Sequence, residues 1–173
     1  MSPVVVSRRG FTAALTALLP LPMLDRIGSA SIRVAQDAGI TRTAEAIHQE
    51  VSFKAAPSRI YEALLDATQF AQVTGGQATI LDRAEGGSFS LFGARIKGRN
   101  IELLPNQRIV QAWRSEGWSR GVYSIVRFEL QVEETGTRLV FDHTGFPVGQ
   151  AEHLAQGWKT NYWDPLTRFV AGS

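Results

Sequence analysis

The sequence predicts an α+β fold in which one curved antiparallel sheet of about six or seven strands packs against a long C-terminal helix. Two patterns carry this prediction. Between residues 45 and 144, most segments alternate apolar and polar side chains, as half-buried strands do. From Leu154 to Phe169, apolar residues recur at steps of three and four, as in an amphipathic helix. Strands in one run, with helices segregated to one side, are typical of the α+β class.

The domain begins with a strand and a short helical region. In "AIHQEVSFKA", Ile47, Gln49, Val51 and Phe53 alternate with charged and polar residues, which predicts one half-buried face. "APSRIYEALLDATQF" follows and begins with Pro57, a residue suited to the first turn of a helix. We predict one short helix or two in this segment.

About six further strands follow the glycine turn at residues 75–76. They are Ala78–Leu81, "SFSLFG", "RIKGRNIELLP", "RIVQAWRS", "YSIVRFELQVEE" and "TRLVFDHT". Alternation places one set of side chains on a common apolar face. The set comprises Ile109, Gln111, Trp113, Val126, Phe128, Leu130, Val132, Leu139, Phe141 and His143. The basic row Arg95, Lys97 and Arg99 predicts the solvated side of an outer strand, where charge discourages edge pairing.

The C-terminal helix is predicted to lie across the concave apolar face of the sheet. Its apolar stripe comprises Leu154, Trp158, Tyr162, Pro165 or Leu166, and Phe169. Pro165 lacks a backbone donor and clashes with the carbonyl four residues earlier, so we expect a kink near Asn161. A kinked helix need not close tightly on a curved sheet. The sequence therefore predicts an apolar cavity between the two.

Composition excludes several classes of site. The chain of 173 residues has no cysteine, which excludes a disulfide framework, a thiolate metal site and a cysteine nucleophile. Three basic residues and one acidic residue lie within residues 1–30. The remainder therefore carries 15 of the 18 basic and 15 of the 16 acidic side chains. A neutral domain gives no electrostatic reason to expect a nucleic-acid partner.

The first 30 residues have the parts of an export signal. Arg8 and Arg9 form a twin arginine, and Phe11–Leu24 is an uncharged apolar run of about 14 residues, too short to span a bilayer. Gly28-Ser29-Ala30 offers a small-residue cleavage site. The pattern resembles a Tat signal; the alternative is an N-terminus whose two arginines are accidental. We predict a signal at 1–30, a linker at 31–44 and a domain at 45–171. The mature protein is then periplasmic or secreted, without stable membrane insertion.

Several segments resemble a known family. They are "GGSFSLFG", "GRNIELLPNQRIVQAWR", "FELQVEETGTRLVFDHTGFP" and "GWKTNYWDPL". Together they are similar to the activator-of-heat-shock-protein-90-ATPase homologue type within the START-like, or SRPBCC, superfamily. This resemblance implies the helix-grip fold, a sheet wrapped around a long C-terminal helix with an apolar pocket between them. Members of the superfamily include hydrophobic-ligand carriers, cyclases and dehydratases, and cochaperone domains.

The leading hypothesis for function is an exported, non-enzymatic domain that binds a small hydrophobic ligand. The predicted ligand-binding residues are Gln111, Trp113, Phe128, Phe141, His143, Trp158 and Tyr162. The alternative for the aromatic side chains is that they simply fill the core. Trp118, in a loop, is a candidate pocket lid or partner contact. The export signal and the lack of a separate docking domain weigh against a cochaperone-like activator of a heat-shock-protein-90 ATPase, although a protein partner stays open.

A cyclase- or dehydratase-like enzyme is the other alternative, with His143 as a general base. The competing interpretation of His143 is a histidine bonded within the core edge. No Gly-x-Ser-x-Gly motif accompanies Ser119 or Ser124, so a serine hydrolase is not expected. His48, His143 and His153 lack metal-ligand spacing. We expect neither a metal nor a cofactor.

Overall fold

The computed structural model of this chain describes residues 45–172. Strand β1 (Ala46–Phe53) precedes two helices, α1 (Pro57–Leu65) and α2 (Ala67–Val73). Six strands follow: β2 (Ile80–Leu81), β3 (Ser88–Leu91), β4 (Ile96–Leu104), β5 (Arg108–Ser115), β6 (Ser124–Glu133) and β7 (Gly136–Thr144). The described chain ends in α3 (Ala151–Trp158), a π-helical segment (Lys159–Trp163) and α4 (Asp164–Ala171). The predicted element order is confirmed. The predicted signal and linker lie outside the described residues.

The seven strands form one antiparallel sheet in the order β1-β7-β6-β5-β4-β3-β2. The first strand closes against the last, with Ile47 opposite His143 and Phe53 opposite Thr137. Side chains on one face of the sheet form a continuous core with those of the helices. This arrangement confirms the predicted α+β class and the helix-grip fold.

Asp66 separates the two short helices of the first connection. Its extended backbone ends α1, and its side chain accepts a hydrogen bond from the Gln69 backbone N–H at 2.8 Å, which caps α2. Pro57 lies at the start of α1, as predicted. Ile60 and Phe70 bury the apolar sides of the two helices in the core.

The inner face of the sheet has the predicted alternation, although one of its residues is not buried. Gly98 lies between Phe89 and Trp113 across β3, β4 and β5, and the side chains of Phe89 and Trp113 are buried on the inner face. The Phe89 ring occupies the place where a Cβ on Gly98 would lie, so a side chain there is excluded. Val132 follows the same alternation as Val126, Phe128 and Leu130, but it is 80% exposed. It lies at the hairpin end of β6, where nothing covers it.

The basic row of β4 does not protect an edge. Lys97 and Arg99 are exposed on the outer face as predicted, but β4 lies third from its end of the sheet, inside β2 and β3. The prediction of an outer strand was wrong because the short strands β2 and β3 add to the sheet beyond β4. Protection of an edge therefore does not explain these cations.

The C-terminal helix is interrupted close to the predicted position, but as a widened turn. Lys159–Trp163 is π-helical, and the Asp164 backbone N–H donates to the Lys159 carbonyl five residues earlier. Pro165 follows at once and has no N–H to continue an α-helical ladder. The wider turn allows two consecutive rings, Tyr162 and Trp163, to be buried. The predicted apolar stripe contained Tyr162 but not Trp163.

Candidate functional site

Trp158 lies at the centre of an aromatic cluster between the sheet and the helix. Its ring centroid lies 4.4 Å from that of Phe141, 4.3 Å from that of Tyr162 and 5.2 Å from that of Trp113. Phe128 and Trp163 complete the cluster. The space that Trp113, Phe141 and Trp158 were expected to enclose is therefore filled by the rings themselves. In this cluster the rings therefore fill the core, which was the alternative to a ligand site. Trp163, which the predicted apolar stripe of the helix did not include, contributes one of these rings.

A cavity of about 290 Å³ lies beside this cluster, at the side of the sheet formed by β4 and β5. Aromatic and apolar side chains form most of its wall, and no Asp or Glu lines it. The lining residues are Phe92, Ile96, Trp113, Leu154, Trp158 and Tyr162, with Gly157 and the polar residues Gln77, Arg95, Ser115, His153 and Asn161. Ligand pockets have volumes of roughly 300–1,000 Å³, so this cavity suits a small guest.

The cavity includes three of the seven predicted ligand-binding residues. Trp113, Trp158 and Tyr162 form its wall. The other predicted residues, Gln111, Phe128, Phe141 and His143, do not line it. Phe92 was missed because the sequence places it in the predicted strand "SFSLFG", whereas this strand ends at Leu91 and Phe92 lies in the following turn with a positive φ of 53°. Gly157 was missed because a residue without a side chain marks a cavity only once the packing is known.

Two buried polar atoms of the cavity wall lack hydrogen-bond partners among the described residues. They are the hydroxyl oxygen of Tyr162 and the indole Nε1 of Trp113. Burial raises the pKa of Tyr162 far above its usual value, and the nearby Trp113 indole N–H opposes this rise only in part. The phenol therefore stays protonated and offers a neutral donor and acceptor. The Trp113 indole N–H lies near the Tyr162 hydroxyl but outside hydrogen-bond geometry, so a hydrogen bond to a guest would recover part of the roughly 1–3 kcal/mol that an unpaired buried hydroxyl costs.

His143 lies in a buried hydrogen-bond chain that fixes its tautomer. Trp158 Nε1 donates to His143 Nδ1 at 3.0 Å, so Nδ1 carries no proton. In the neutral ring Nε2 then carries the proton and donates to Ser124 Oγ at 2.7 Å. The Ser124 hydroxyl in turn donates to the Trp113 carbonyl at 3.1 Å. Burial lowers the pKa of His143 to about 4, so the ring is neutral at pH 7.

These hydrogen bonds leave His143 no free ring nitrogen that could contact a substrate. Nδ1 of His143 accepts a hydrogen bond from the Trp158 indole N–H, and the N–H at Nε2 donates a hydrogen bond to Ser124 Oγ. The geometry supports the interpretation of a histidine bonded within the core, with Ser124 and Trp158 as its partners. It gives no support to a general base at this position.

Gln111 also belongs to a buried structural pair. Its amide donates to the Asn100 side-chain oxygen at 2.9 Å, and the Asn100 amide donates to the Asp82 carbonyl at 2.7 Å. These bonds tie β4 and β5 to the segment that follows β2. Asn100 was missed by the sequence pattern, because a buried asparagine next to a β-bulge resembles any polar residue of a solvated face.

The other residues considered in the sequence, Trp118, His48 and His153, lie outside the aromatic cluster around Trp158. Trp118 is buried and packs edge-on against Trp113, with ring centroids 6.2 Å apart, so it supports the cavity wall from the loop. His48 bonds Asp142 on the outer face, whereas His153 lies at the cavity mouth. Within residues 45–172, no group of three or more His, Cys, Asp or Glu could hold a metal ion. No helix in the same range has the length and apolar character to cross a membrane.

Comparison with known proteins decides the family. The family described as "Activator of Hsp90 ATPase homolog 1-like protein" matches residues 54–171, which is more than half of the chain. The chain belongs to this family. This match confirms the resemblance, seen in the sequence, to the activator-of-heat-shock-protein-90-ATPase homologue type.

Relatives within and near the family share this domain. The "Activator of 90 kDa heat shock protein ATPase homolog" of Dictyostelium discoideum is 32% identical over 125 residues, which are 72% of this chain and 32% of that protein. The "Activator of 90 kDa heat shock protein ATPase homolog 1" of Homo sapiens is 24% identical over 115 residues, which are 66% of this chain and 34% of that protein. The chain thus spans about a third of these curated relatives.

Solved structures agree with the fold. An Hsp90 activator from Plasmodium falciparum superposes with a TM-score of 0.67 at 26% identity, over 75% of this chain and 96% of that one. CalU16 from Micromonospora echinospora gives a TM-score of 0.64 at 24% identity, over 74% and 77%. The second likeness shows the fold alone.

Proposed function

We propose that this family member binds a small, largely apolar ligand that carries one hydroxyl or carbonyl group. The observation that carries the proposal is the aromatic cavity of about 290 Å³ beside the Trp158 cluster. Its wall gives an apolar guest three or more rings to pack against. The unpaired Tyr162 hydroxyl and Trp113 indole N–H supply a donor for the guest's oxygen after a small shift of these side chains.

The fit of the guest can be tested with naphthalene and 2-naphthol, which differ by one hydroxyl. Trp113 and Trp158 line the cavity, so binding is measured as a change in tryptophan fluorescence. We expect 2-naphthol to bind about three- to tenfold more tightly, the scale of one hydrogen bond. Tyr162→Phe should remove most of this preference and leave naphthalene binding intact. Equal affinity of both compounds in both proteins would contradict the proposed polar contact.

The position of the site can be tested by filling it. Gly157 is helical and lines the cavity, and a Cβ placed on it would meet nothing closer than Asn161 Nδ2 at 3.9 Å. Gly157→Leu should therefore fill the cavity without unfolding the helix, and it should abolish binding of both compounds. Gln156→Leu is the matched control, because this neighbour on the same helix does not line the cavity. Binding that survives Gly157→Leu would place the guest elsewhere.

We also propose the predicted export through the twin-arginine leader. The support is the order of its parts: Arg8 and Arg9, the uncharged Phe11–Leu24 run and the Gly28-Ser29-Ala30 cleavage site. Cell fractionation should place the mature protein outside the cytoplasm. Replacing Arg8 and Arg9 by lysine should retain it inside. Unchanged location of the lysine variant would contradict a Tat route.

A second candidate function is activation of a heat-shock-protein-90 ATPase. The names of the relatives and of the Plasmodium structure favour it, although the chain covers only a third of those relatives. Addition of this protein to such an ATPase should then raise the rate of ATP hydrolysis. A cytoplasmic location would favour this function, whereas an exported protein would not meet a cytoplasmic chaperone.

A further inference from the structure

The outer face of the sheet divides into two halves by charge. On the half formed by β1, β7, β6 and the end of β5, the cations are paired with carboxylates. Arg108 contacts Glu102 and Glu129, Arg138 contacts Glu50 and Glu133, and His48 contacts Asp142. Exposed pairs of this kind neutralise one another within the protein. The carboxylates on this half outnumber the arginines, so among the described residues it offers an acidic partner no unpaired cation.

The other half carries cations without such partners. We call Lys97 and Arg99 of β4 and Arg114 of β5 the basic corner. Among residues 45–172, no carboxylate lies within 4.0 Å of any of the three. Arg99 donates to the Gly86 carbonyl and Arg114 to the Trp118 carbonyl, so both are positioned by neutral acceptors. The buried Nε of Arg114 has no partner among the described residues.

Beyond the two backbone carbonyls that Arg99 and Arg114 bind, the charges of this corner do not stabilise the sheet. Lys97 lies directly opposite Arg114 in the β4–β5 ladder, and like charges opposite each other destabilise a sheet. Since β4 is an inner strand, the cations do not protect a sheet edge either. A pair of like charges that opposes the stability of the sheet is characteristic of functional surfaces.

A shallow groove of about 620 Å³ runs beside the corner. It crosses β3, β4 and β5 and is lined by Ser88, Ser90, Lys97, Arg99, Ala112 and Tyr123, with Phe89 and Gly98 at its base. Tyr123 is 52% exposed and the neighbouring Ile125 is 42% exposed. The surface therefore combines cations, hydroxyl groups and two exposed apolar side chains.

We propose that the basic corner and its groove bind an extended acidic segment of a partner protein. Lys97 and Arg99 are two residues apart on one strand, so their side chains emerge about 6.6 Å apart, at a rise of about 3.3 Å per residue. Carboxylates at alternate positions of an extended peptide have the same spacing. Tyr123 and Ile125 would contact its apolar side chains.

The charge balance favours a protein segment over nucleic acid. Residues 45–172 contain 13 basic and 14 acidic side chains, so the domain has no positive field over its whole surface. Nucleic-acid binders use such a field to bind many successive phosphates. The basic corner instead supplies three cations at fixed spacing, which suits a few carboxylates.

The proposal is tested with a fluorescein-labelled peptide of four Glu-Leu repeats, whose binding to the full-length protein is followed by fluorescence anisotropy. Binding should be saturable at about 50 mM salt and weaken as salt rises, because exposed charges are screened. The double variant Lys97→Glu, Arg99→Glu should weaken binding by roughly tenfold. Lys159→Glu reverses an exposed cation on the C-terminal helix, far along the chain from β4; it is the control for charge reversal elsewhere and should bind as the unmodified protein does.

Two further probes separate the alternatives. A thymidine oligonucleotide and vesicles of phosphatidylcholine with phosphatidylglycerol are tested under the same conditions. The proposal is overturned if the peptide does not bind, if Lys159→Glu weakens it as much as the double variant, or if only the oligonucleotide or the vesicles depend on the corner. Circular dichroism confirms that each variant is folded. Because the groove is on the outer face, Gly157→Leu should leave peptide binding unchanged, which separates this proposal from the ligand site.

Discussion

Trp158 of the C-terminal helix donates its indole N–H to Nδ1 of His143 on the last strand, across 3.0 Å. This bond joins the helix to the sheet in the interior, where both residues are almost wholly buried. It makes Nδ1 an acceptor and leaves the ring proton on Nε2, facing Ser124. The histidine that seemed most suited to chemistry is thus part of what holds the helix on the sheet.

The first prediction concerns this buried chain. Ser124→Ala leaves the His143 N–H without an acceptor, so we expect a loss of about 1–3 kcal/mol in the free energy of unfolding. Ser119→Ala, in the exposed loop, should change it by less than about 0.5 kcal/mol. Urea unfolding followed by tryptophan fluorescence measures both. Similar changes in unfolding free energy for the two variants would contradict the hydrogen bond between His143 and Ser124.

The second prediction is a pH dependence of stability. The pKa of His143 is about 4 in the folded protein and near 6.5 when the chain is unfolded. Between these values the unfolded state binds more protons, so this histidine lowers the unfolding free energy as pH falls from 6.5 towards 4. The full effect is at most about 3 kcal/mol. Above pH 7 it should vanish.

His143→Gln isolates this contribution, because glutamine keeps a donor and an acceptor but does not titrate. The difference in unfolding free energy between the two proteins should narrow or reverse as pH falls through this window. Urea midpoints measured at a series of pH values give that difference. Parallel curves for the two proteins across the window would show that His143 does not titrate as the structure requires.

The third prediction uses two glycines with opposite surroundings. Gly157→Ala should raise the unfolding free energy by about 0.5–1 kcal/mol, because a Cβ on this helical glycine would make only an ordinary contact, with Asn161 Nδ2 at 3.9 Å. Gly98→Ala should lower it by more than about 3 kcal/mol, because a Cβ there would lie 2.1 Å from the Ala112 carbonyl oxygen. Thermal unfolding measures both variants. Equal tolerance of alanine at the two positions would contradict the packing described for β4.

The fourth prediction concerns the link between β1 and the interrupted helix. Gln49 accepts a hydrogen bond from Trp163 Nε1 at 2.6 Å and donates to the Ala155 carbonyl at 3.1 Å, so it joins α3 to the π-helical segment. Gln49→Ala should lower the unfolding free energy by about 1–3 kcal/mol, because Trp163 loses its acceptor. Amide hydrogen exchange should also accelerate in Lys159–Trp163. Glu50→Ala, on the outer face of the same strand, serves as the control and should leave that exchange unchanged.

The sequence by itself determined the class of fold, the order of the elements and most of the inner face. Alternation in β5 and β7 placed Trp113, Phe141 and His143 inward without reference to any other part of the chain, because strand geometry has a fixed period of two. Pro165 likewise located the interruption of the helix, since its missing N–H is a local property. The exposure of Val132 could not be predicted in this way, because alternation indicates which side of the sheet a residue faces but not whether another element covers it.

Only the tertiary structure decided what the aromatic residues do. Whether Trp158 bounds a hollow or fills it depends on how helix and sheet approach each other, and the π-helical turn that buries Trp163 has no simple sequence signature. Periodicity also cannot predict hydrogen bonds between residues far apart along the chain, such as His143 with Ser124 or Gln49 with Trp163. The same holds for the pairing of Lys97 with Arg114, which depends on strand register. Local geometry repeats along a chain and can be predicted from it, whereas distances between distant residues are fixed only when the whole core packs.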